Sequence, residues 1–416
     1  MLELILFIPF ILLLAAIAAM PFINEEWWSK NYGKFSVVLA LIVALYYLFA
    51  LDRQTELLTT IEEYISFISL IGSLYVVTGG MYFRISGKAT PLKNTLILLI
   101  GSVLANIIGT TGAAVLLIKP YIRFNKTHLK PYHIIFFIFS VCNTGGGLTP
   151  IGDPPLLMGF LKGIPFFWTI SNVFFIWLFM MIYILLIFFI IDTKNYKPHI
   201  MSEKKNKDTD EIKSDGLFNI IFLVIIVGSV FISQPKFIRE ALMIGSAVAS
   251  YSMTSKSIRQ RNSFNFEPIK EVALLFIGIF VTMMPVLNYF YIHAGSFGIH
   301  GSNQFYWSTG VITSFLDNAP TFLTFLSLSM GQSGLNLSNP FEVQNFISAQ
   351  PMITTAISVA SVFFGAMTYI GNGPNFLVKS IAEQKGIKMP GFFDYIYKYS
   401  IPILLPGLIL LRLIFF

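Results

Sequence analysis

The sequence NTGGGLTPIGD, residues 143–153, interrupts an apolar segment near 132–160 that is long enough to cross a membrane. A second interruption, YIGNGPNFLV at residues 369–378, lies in the apolar segment near 351–378. Backbone groups in hydrocarbon must be hydrogen-bonded, so such breaks persist only where protein or a wet cavity surrounds them. The two breaks therefore predict discontinuous helices around a binding site near the membrane midplane.

The composition around these breaks is that of a polytopic membrane protein. The 416-residue chain is 55% hydrophobic and only 12% charged, whereas soluble globular chains carry about 25% charged residues. A single cysteine, Cys142, excludes a disulfide framework or a cysteine-based metal cluster. The net charge of +7 is spread between apolar runs, which indicates membrane orientation and not nucleic-acid binding. The first run carries Glu3 and lacks a basic start, so we expect a membrane helix there and not a signal peptide.

Ten apolar runs are candidate membrane crossings, and three of them are short or interrupted by glycine and proline. The regular runs lie near 2–23, 35–51, 64–83, 166–191, 217–234, 271–292 and 399–416, and the irregular ones near 132–160, 240–254 and 351–378. Two further segments, about 94–119 and 304–330, are either full crossings or re-entrant hairpins. Their centres read Gly109-Thr110-Thr111-Gly112 and Asp317-Asn318-Ala319-Pro320.

Basic residues distinguish crossings from hairpins, because cytoplasmic loops collect Lys and Arg. If both segments are hairpins, one face receives 23 of the 28 basic residues, and full crossings would divide them 12 to 16. The five on the other face are Arg53, Lys162, Lys236, Arg239 and Arg412. The charge pattern therefore predicts ten crossings, two hairpins, and both termini on the non-cytoplasmic side.

The polar stretch 192–216 divides the chain into two similar halves, residues 1–191 and 217–416. Each half has five predicted crossings, and an odd number inserts the halves in opposite senses. The hairpin tips are 208 residues apart, from 109 to 317, and the breaks are 219 apart, from 152 to 371. We predict an all-α fold of two inverted repeats, each of five transmembrane helices plus one re-entrant hairpin, joined by a cytoplasmic linker at 192–216.

Two carboxylates, Asp153 and Asp317, fall at membrane depth, where an acidic side chain is expensive and usually functional. Each also stands where a helix N-cap is expected, so capping alone is an alternative explanation. Burial disfavours the charged form, so a proton and a cation compete for such a carboxylate. Neutral oxygens and amides complete the candidate cation and proton site: Asn143, Thr144, Thr149, Asn318, Thr321, Thr368, Asn372 and Asn375.

Glycine-rich loops supply the backbone of this candidate site. Unwound helices leave carbonyls that bind cations and half-helix N-termini that bind anions, although close helix packing also uses glycine. The supporting positions are Gly109, Thr110, Thr111, Gly145, Gly146, Gly152, Gly371 and Gly373, and the expected Na⁺ ligands are Asp153, Asp317, Asn143 and Asn372. The five histidines are interpreted as interfacial: His128, His133, His199, His293 and His300.

These residues resemble the ion transporter superfamily. Residues 143–153, with Asp317-Asn318 and 371–375, are most similar to the NhaD/ArsB-type sodium/proton antiporters and the related citrate-transporter-like permeases. The resemblance covers nearly the whole chain and implies inverted repeats, a scaffold domain that forms a homodimer, and a transport domain that moves as an elevator. Relatives that carry di- and tricarboxylates have Ser-Asn-Thr where this chain has Cys142-Asn143-Thr144 and Gly371-Asn372-Gly373. Many relatives also have Asp-Asn at the first hairpin tip, where Gly109-Thr110 stands here.

Two candidate carboxylates and no dedicated basic residue in the core favour Na⁺/H⁺ exchange by a secondary transporter of the bacterial inner membrane. The alternative is Na⁺- or H⁺-coupled transport of citrate or another small carboxylate or oxyanion, although Asp153 would partly cancel the positive end of its helix. An intramembrane enzyme would need a nucleophile–base pair or clustered metal ligands, which we do not find in the sequence. We expect no cofactor and no nucleic-acid partner, with Na⁺, protons, membrane lipid and a second copy of the chain as partners.

Overall fold

The computed structural model describes residues 5–85, 87–126, 128–196, 212–232 and 234–416. The described chain is helical apart from two four-residue strands. Six described helices are long and apolar enough to cross a membrane, and a helix pair bent by 102° would make a seventh. The all-α polytopic membrane fold is therefore confirmed. The number of ten crossings stays a prediction, because it includes shorter apolar helices.

The described residues of the first half form one strand and seven α-helices. They are α1 (Ile8–Ile23), α2 (Glu25–Phe49), α3 (Gln54–Gly79), β1 (Tyr82–Ile85), α4 (Pro91–Phe124), α5 (Pro131–Ser140), α6 (Pro154–Leu161) and α7 (Trp168–Asn195). Proline at the first position of α4, α5 and α6 fits these starts, because that residue needs no intrahelical N–H partner. The 13 residues between α5 and α6 contain the first predicted break, with a 3₁₀ turn at Thr144–Gly146.

The described part of the second half begins with a strand and has more short helices than the first half. Its elements are β2 (Ile212–Asp215), α8 (Asn219–Ser229), α9 (Ile238–Met253), α10 (Lys256–Asn262), α11 (Glu267–Ile292), α12 (Gly301–Phe315), α13 (Asn318–Gln332), α14 (Pro340–Ala349), α15 (Pro351–Phe363), α16 (Gly373–Gln384), α17 (Phe392–Tyr395) and α18 (Leu405–Phe415). The second predicted break lies between α15 and α16. A π-helical segment, Ile396–Leu404, joins α17 to α18 and contains Pro402, which has no N–H to donate.

Both hairpin segments fold back on themselves. Helix α4 is interrupted at Gly109, whose φ of +78° favours glycine. A Cβ at Gly101 would lie 3.0 Å from Leu117 Cδ1, although sixteen residues of straight helix would separate them by about 24 Å. In the second segment α12 packs on α13, and Gln332 Nε2 donates to the Ile299 carbonyl at 2.6 Å. The two arms of each segment therefore lie side by side, and both segments extend a few residues beyond the predicted ranges.

The base of each hairpin, where its two arms begin and end, lies beside a different set of loops. Strand β1 pairs antiparallel with β2, and Asn262 Nδ2 donates to the carbonyls of Gly79 and Met81 at 2.8 and 2.6 Å. The Asn262 carbonyl accepts from Lys119 Nζ, which places the base of the first hairpin beside these loops. Arg412 Nε donates to Asn303 Oδ1 at 2.7 Å, at the base of the second hairpin. The two bases thus lie among loops that the charge pattern assigns to opposite faces.

Helix packing is matched between the halves. Helix α2 packs on α11 as α9 packs on α3, and α1 packs on α11 as α8 packs on α3. The hairpins follow the same rule, because α4 packs on α3 and α13 packs on α11. Such a correspondence is what two copies of one unit would produce. Their opposite insertion in a membrane stays a prediction.

Three local features differ from the sequence expectations. Helix α7 continues to Asn195, and the end of the predicted linker forms β2, while residues 197–211 and with them His199 lie outside the described chain. A four-residue strand needs a partner, and β1 is too distant in sequence to be recognised from local pattern. His133 is 1% exposed, with Nε2 3.1 Å from Asp192 Oδ1. His133 therefore lies near the start of α5, as expected for an interfacial residue, but is buried within the protein.

Candidate functional site

The carboxylate of Asp153 lies where the two hairpin tips and the two helix breaks meet. The residue is 1% exposed. Its Oδ1 accepts from Thr110 Oγ1 at 2.8 Å and from Asn372 Nδ2 at 3.0 Å. Its Oδ2 accepts from Asn318 Nδ2 at 2.6 Å. Since Asp153 belongs to the first break and each donor belongs to a different one of the other three loops, this single side chain joins all four.

Helix capping explains one of the two candidate carboxylates and not the other. Asp153 occupies the N-cap position of α6, yet its side chain makes no capping hydrogen bond there. Asp317 does cap α13, because its Oδ1 accepts from Ala319 N at 3.1 Å. Asp317 is only partly buried, but it precedes Asn318 and is near enough to Asp153 for the two charges to repel. The carboxylate of Asp153 is therefore directed at the other loops for a reason other than capping.

A chain of buried amides connects the two breaks. Asn143 Nδ2 donates to Asn375 Oδ1 at 2.7 Å. Asn375 Nδ2 in turn donates to the Gly365 and Thr368 carbonyls at 2.8 and 3.0 Å. Asn372 Nδ2 also contacts the Cys142 carbonyl at 3.0 Å. These bonds satisfy polar groups that would otherwise be stranded at membrane depth.

The hydrogen bonds of the two breaks correspond residue by residue. Thr149 Oγ1 donates to the Asn106 carbonyl at 2.6 Å, and Thr368 Oγ1 donates to the Ser314 carbonyl at 2.5 Å. Gly152 N donates to Thr149 Oγ1 at 3.1 Å, as Gly371 N does to Thr368 Oγ1 at 3.2 Å. The hairpin residues Asn106 and Ser314 are again 208 positions apart, and the break residues Thr149 and Thr368 are again 219 apart.

The same offsets pair Asp153 with Asn372, and Thr110 with Asn318. The site is therefore nearly symmetric in its contacts and asymmetric in its charge. An acid stands in the first half where an amide stands in the second. Asp317, which precedes Asn318, is the other acid close to this junction.

Close backbone approach explains several of the predicted glycines. A Cβ at Gly152 would lie 2.1 Å from the Gly146 carbonyl oxygen, and one at Gly371 would lie 2.6 Å from that of Gly365. A Cβ at Gly145 would lie 2.7 Å from Ser102 Cα. Gly373 differs, because a Cβ there would meet nothing within 4 Å. Close packing and binding-site geometry are thus compatible roles at these breaks.

A small cavity adjoins Asp153 at the first hairpin tip. Its volume is about 30 Å³, and α3 closes it with Ile71, Leu74 and Tyr75. The predicted residues Thr110 and Thr111 also line it. A space of this size holds a water molecule, whereas sites for small organic molecules are roughly 300–1,000 Å³. In this conformation the cavity therefore suits water or a small ion and excludes an organic substrate.

Two polar atoms close to this junction lack a hydrogen-bond partner. Thr144 Oγ1 and Asn318 Oδ1 are buried and unpaired within the described chain. Over the same residues, no three His, Cys, Asp or Glu side chains are grouped so that they could hold a metal ion. A hard cation here would therefore rely on at most two carboxylates, Asp153 and Asp317, together with neutral oxygens, which such ions accept. Turning the amide of Asn318 or Asn372 would present oxygen in place of nitrogen.

Asn106 is a site residue that the sequence interpretation missed. Its Nδ2 donates to the Gly145 carbonyl at 2.6 Å, and its Oδ1 accepts from Leu148 N at 2.9 Å. It therefore ties the first hairpin to the first break. An asparagine three residues before the hairpin tip, within an apolar segment, was a detectable signal.

Membrane-length helices around an enclosed polar junction define an integral membrane protein with discontinuous helices. A sequence model of a protein family described as "Putative citrate transport" matches residues 1–416. The chain belongs to this citrate-transporter-like family of ion transporters, as the resemblance predicted. The family description indicates a secondary transporter of citrate-like substrates. No curated protein matches the chain.

Proposed function

We propose that this chain is a cation-coupled secondary transporter that exchanges Na⁺ for H⁺, with Asp153 holding each ion in turn. The observation that carries the proposal is that this carboxylate has hydrogen-bond donors but no basic partner among the described residues. Its hydrogen-bond donors are Thr110, Asn318 and Asn372, and none of the described groups acting on it is basic. A buried charge without an ionic partner is costly. Neutralisation then requires a proton or an inorganic cation.

The proposed Na⁺ site is formed by Asp153, Asp317, Asn143 and Asn372. Hydroxyl, amide and backbone oxygens from the four loops complete it, including the unpaired Asn318 Oδ1 and Thr144 Oγ1. Sodium binding would require the donors on Asp153 to turn their oxygens toward the ion. Proton binding would neutralise the same carboxylate without an added ligand.

Alternating access would follow from movement of the hairpins and broken helices against α1–α3 and α8–α11. We propose an elevator-type movement of this transport domain, with the scaffold helices forming a homodimer in the bacterial inner membrane. The predicted topology would place both termini outside the cytoplasm. The pairing of Lys162 with Glu63 at 2.8 Å joins the loop after α6 to α3, and such a movement would break it.

The family description favours a second candidate, the Na⁺- or H⁺-coupled transport of citrate or another small carboxylate or oxyanion. Asn143, Thr144, Asn372 and the half-helix N-termini would bind the anion, and a cation at Asp153 would offset the acid. The 30 Å³ cavity would have to enlarge for such a substrate. That requirement places this candidate second.

Transport by purified protein in liposomes separates the two candidates. Liposomes containing a trapped pH-sensitive dye receive Na⁺ without any carboxylate, and exchange predicts a change in internal pH. Asp153→Asn should abolish that response, because the neutral amide cannot exchange a proton for a cation. Asp394→Asn is a matched control, since Asp394 is an exposed residue paired with Lys398. No response to Na⁺ or Li⁺, with labelled citrate accumulating instead, would rule out exchange and support the second candidate.

A further inference from the structure

Two cavities meet beside the first hairpin, away from Asp153. One has a volume of about 410 Å³ and a polar lining that includes Tyr82, Arg84 and Arg123. The other has a volume of about 430 Å³ and lies between the arms of the hairpin, where its lining is apolar except for Lys93. Ile85 and Phe124 line both cavities, so the two are adjacent. Each is within the usual size range of a small-molecule site, roughly 300–1,000 Å³.

Strand β1 separates a polar side from an apolar side. Successive side chains of a strand point to opposite faces. Tyr82 and Arg84 accordingly line the polar cavity, whereas Phe83 lines the apolar one. The remaining apolar wall comes from both arms of the hairpin: Leu96, Ile97, Ile100, Leu104, Leu116 and Leu117.

The polar cavity carries positive charge that nearby acids do not balance. Arg123 donates to the neutral Tyr82 hydroxyl at 2.9 Å, and Arg84 is exposed. Arg261 lies over the Tyr82 ring, 4.7 Å from its centroid, and is already paired with Asp215 at 2.7 Å. None of the described residues that line either cavity is acidic. A phosphate group would complement this arrangement, because guanidinium–phosphate hydrogen bonds are charge-assisted.

We propose that the two cavities form one binding site for an anionic phospholipid. The phosphate contacts Arg84 and Arg123, and an acyl chain lies between the hairpin arms. The glycerol backbone falls at the boundary formed by Ile85 and Phe124. A basic cavity alone would accept any anion, and an apolar cleft alone would accept any acyl chain. The two adjoining cavities together select a molecule that has both an anionic group and an acyl chain. Basic pockets at the cytoplasmic ends of membrane helices bind lipid head groups in the same way.

Native mass spectrometry of the purified full-length chain tests the site. Three probes are compared: palmitoyl-oleoyl phosphatidylglycerol, phosphatidylcholine with the same chains, and glycerol 3-phosphate. The proposal predicts retention of phosphatidylglycerol well above that of the other two. Equal retention of the two lipids would show annular lipid only. Retention of glycerol 3-phosphate equal to that of phosphatidylglycerol would show a soluble-anion site, and either result overturns the proposal.

Two kinds of variant test the polar cavity and the apolar cavity separately. Arg84→Gln with Arg123→Gln should weaken phosphatidylglycerol retention roughly 30-fold, from about fivefold per basic residue near an anionic group. Ile100→Trp should also weaken it, by filling the cleft. Ile100 is 55% exposed, so a larger side chain does not disturb the core. Unchanged retention in either variant would overturn the proposal.

Two controls accompany these variants. Tyr82→Phe removes the hydroxyl that accepts from Arg123 and keeps both charges, so lipid retention should persist. Lys126→Gln with Lys388→Gln removes two basic residues from a neighbouring cavity and should leave retention unchanged. Thermal unfolding in phosphatidylcholine shows whether each variant is folded. Equal loss of retention in the lysine variant would reveal a general charge effect and contradict a specific site.

Discussion

Asn372 donates its amide to the Asp153 carboxylate at 3.0 Å, and the two residues occupy corresponding positions 219 apart in the two halves. A junction assembled from matched loops therefore contains an acid on one side and its neutral equivalent on the other. Two acids at this distance would repel strongly in a low-dielectric interior. The amide removes that repulsion and supplies a hydrogen bond.

Replacing Asn372 with Asp should make stability depend on pH. The repulsion between residues 153 and 372 exists when both are ionised, at high pH, and is relieved as falling pH protonates one of them. Thermal unfolding of Asn372→Asp should therefore show a larger loss of stability at pH 8 than at pH 5. Asn372→Ala removes the hydrogen bond without adding charge and should lack this additional loss. Equal destabilisation of the Asp variant at both pH values would contradict the pairing.

Removing the Thr110 hydroxyl should destabilise the junction. A hydrogen bond to a charged group contributes about 1.5–3 kcal/mol, and Thr110 Oγ1 lies 2.8 Å from Asp153 Oδ1. Thr110→Val should lower the free energy of unfolding by an amount in that range, whereas Thr110→Ser keeps the donor and should lose less. Chemical denaturation of the purified protein measures both variants. Equal stability of the valine and wild-type proteins would show that the bond is dispensable.

Gly152 should tolerate no side chain, because a Cβ there would lie 2.1 Å from the Gly146 carbonyl oxygen. Overpacking of a tight site costs about 1–3 kcal/mol, and more when backbone cannot move. Gly152→Ala should therefore unfold at markedly lower temperature. Gly373→Ala is the matched control in the second break, since a Cβ there meets nothing within 4 Å. Similar unfolding temperatures for the two variants would contradict this packing.

Lys162 and Glu63 should be energetically coupled. Their charged atoms are 2.8 Å apart, and the side chains are only 12% and 16% exposed. A double-mutant cycle with Lys162→Met and Glu63→Gln should give a coupling free energy of about 0.5–3 kcal/mol. Additive effects would show that the pair does not hold the loop after α6 against α3.

Cysteine labelling tests the predicted sidedness. The native Cys142 is buried, so it should contribute little background. A membrane-impermeant maleimide applied to intact cells should label Lys236→Cys and spare Lys256→Cys, because the charge pattern puts these exposed positions on opposite faces. Permeabilised cells should label both. The reverse pattern in intact cells would invert the proposed topology.

The sequence alone determined the features that depend on local chemistry. Glycine and proline mark the breaks at 143–153 and 369–378, since they interrupt helices wherever they occur in such density. The reversal at Gly109 was detectable for a similar reason, because hydrophobic length and the placement of basic residues restrict which segments can cross. These local constraints sufficed for the all-α membrane fold and for the family.

Only the tertiary structure decided which groups meet. The donors to Asp153 come from positions 43, 165 and 219 residues away, and no local pattern specifies such partners. The same holds for the β1–β2 pairing and for His133, whose burial against Asp192 depends on helices that are distant in sequence. From the sequence, capping was an alternative explanation for both Asp153 and Asp317. Their different roles follow from the direction of each carboxylate, which long-range packing sets.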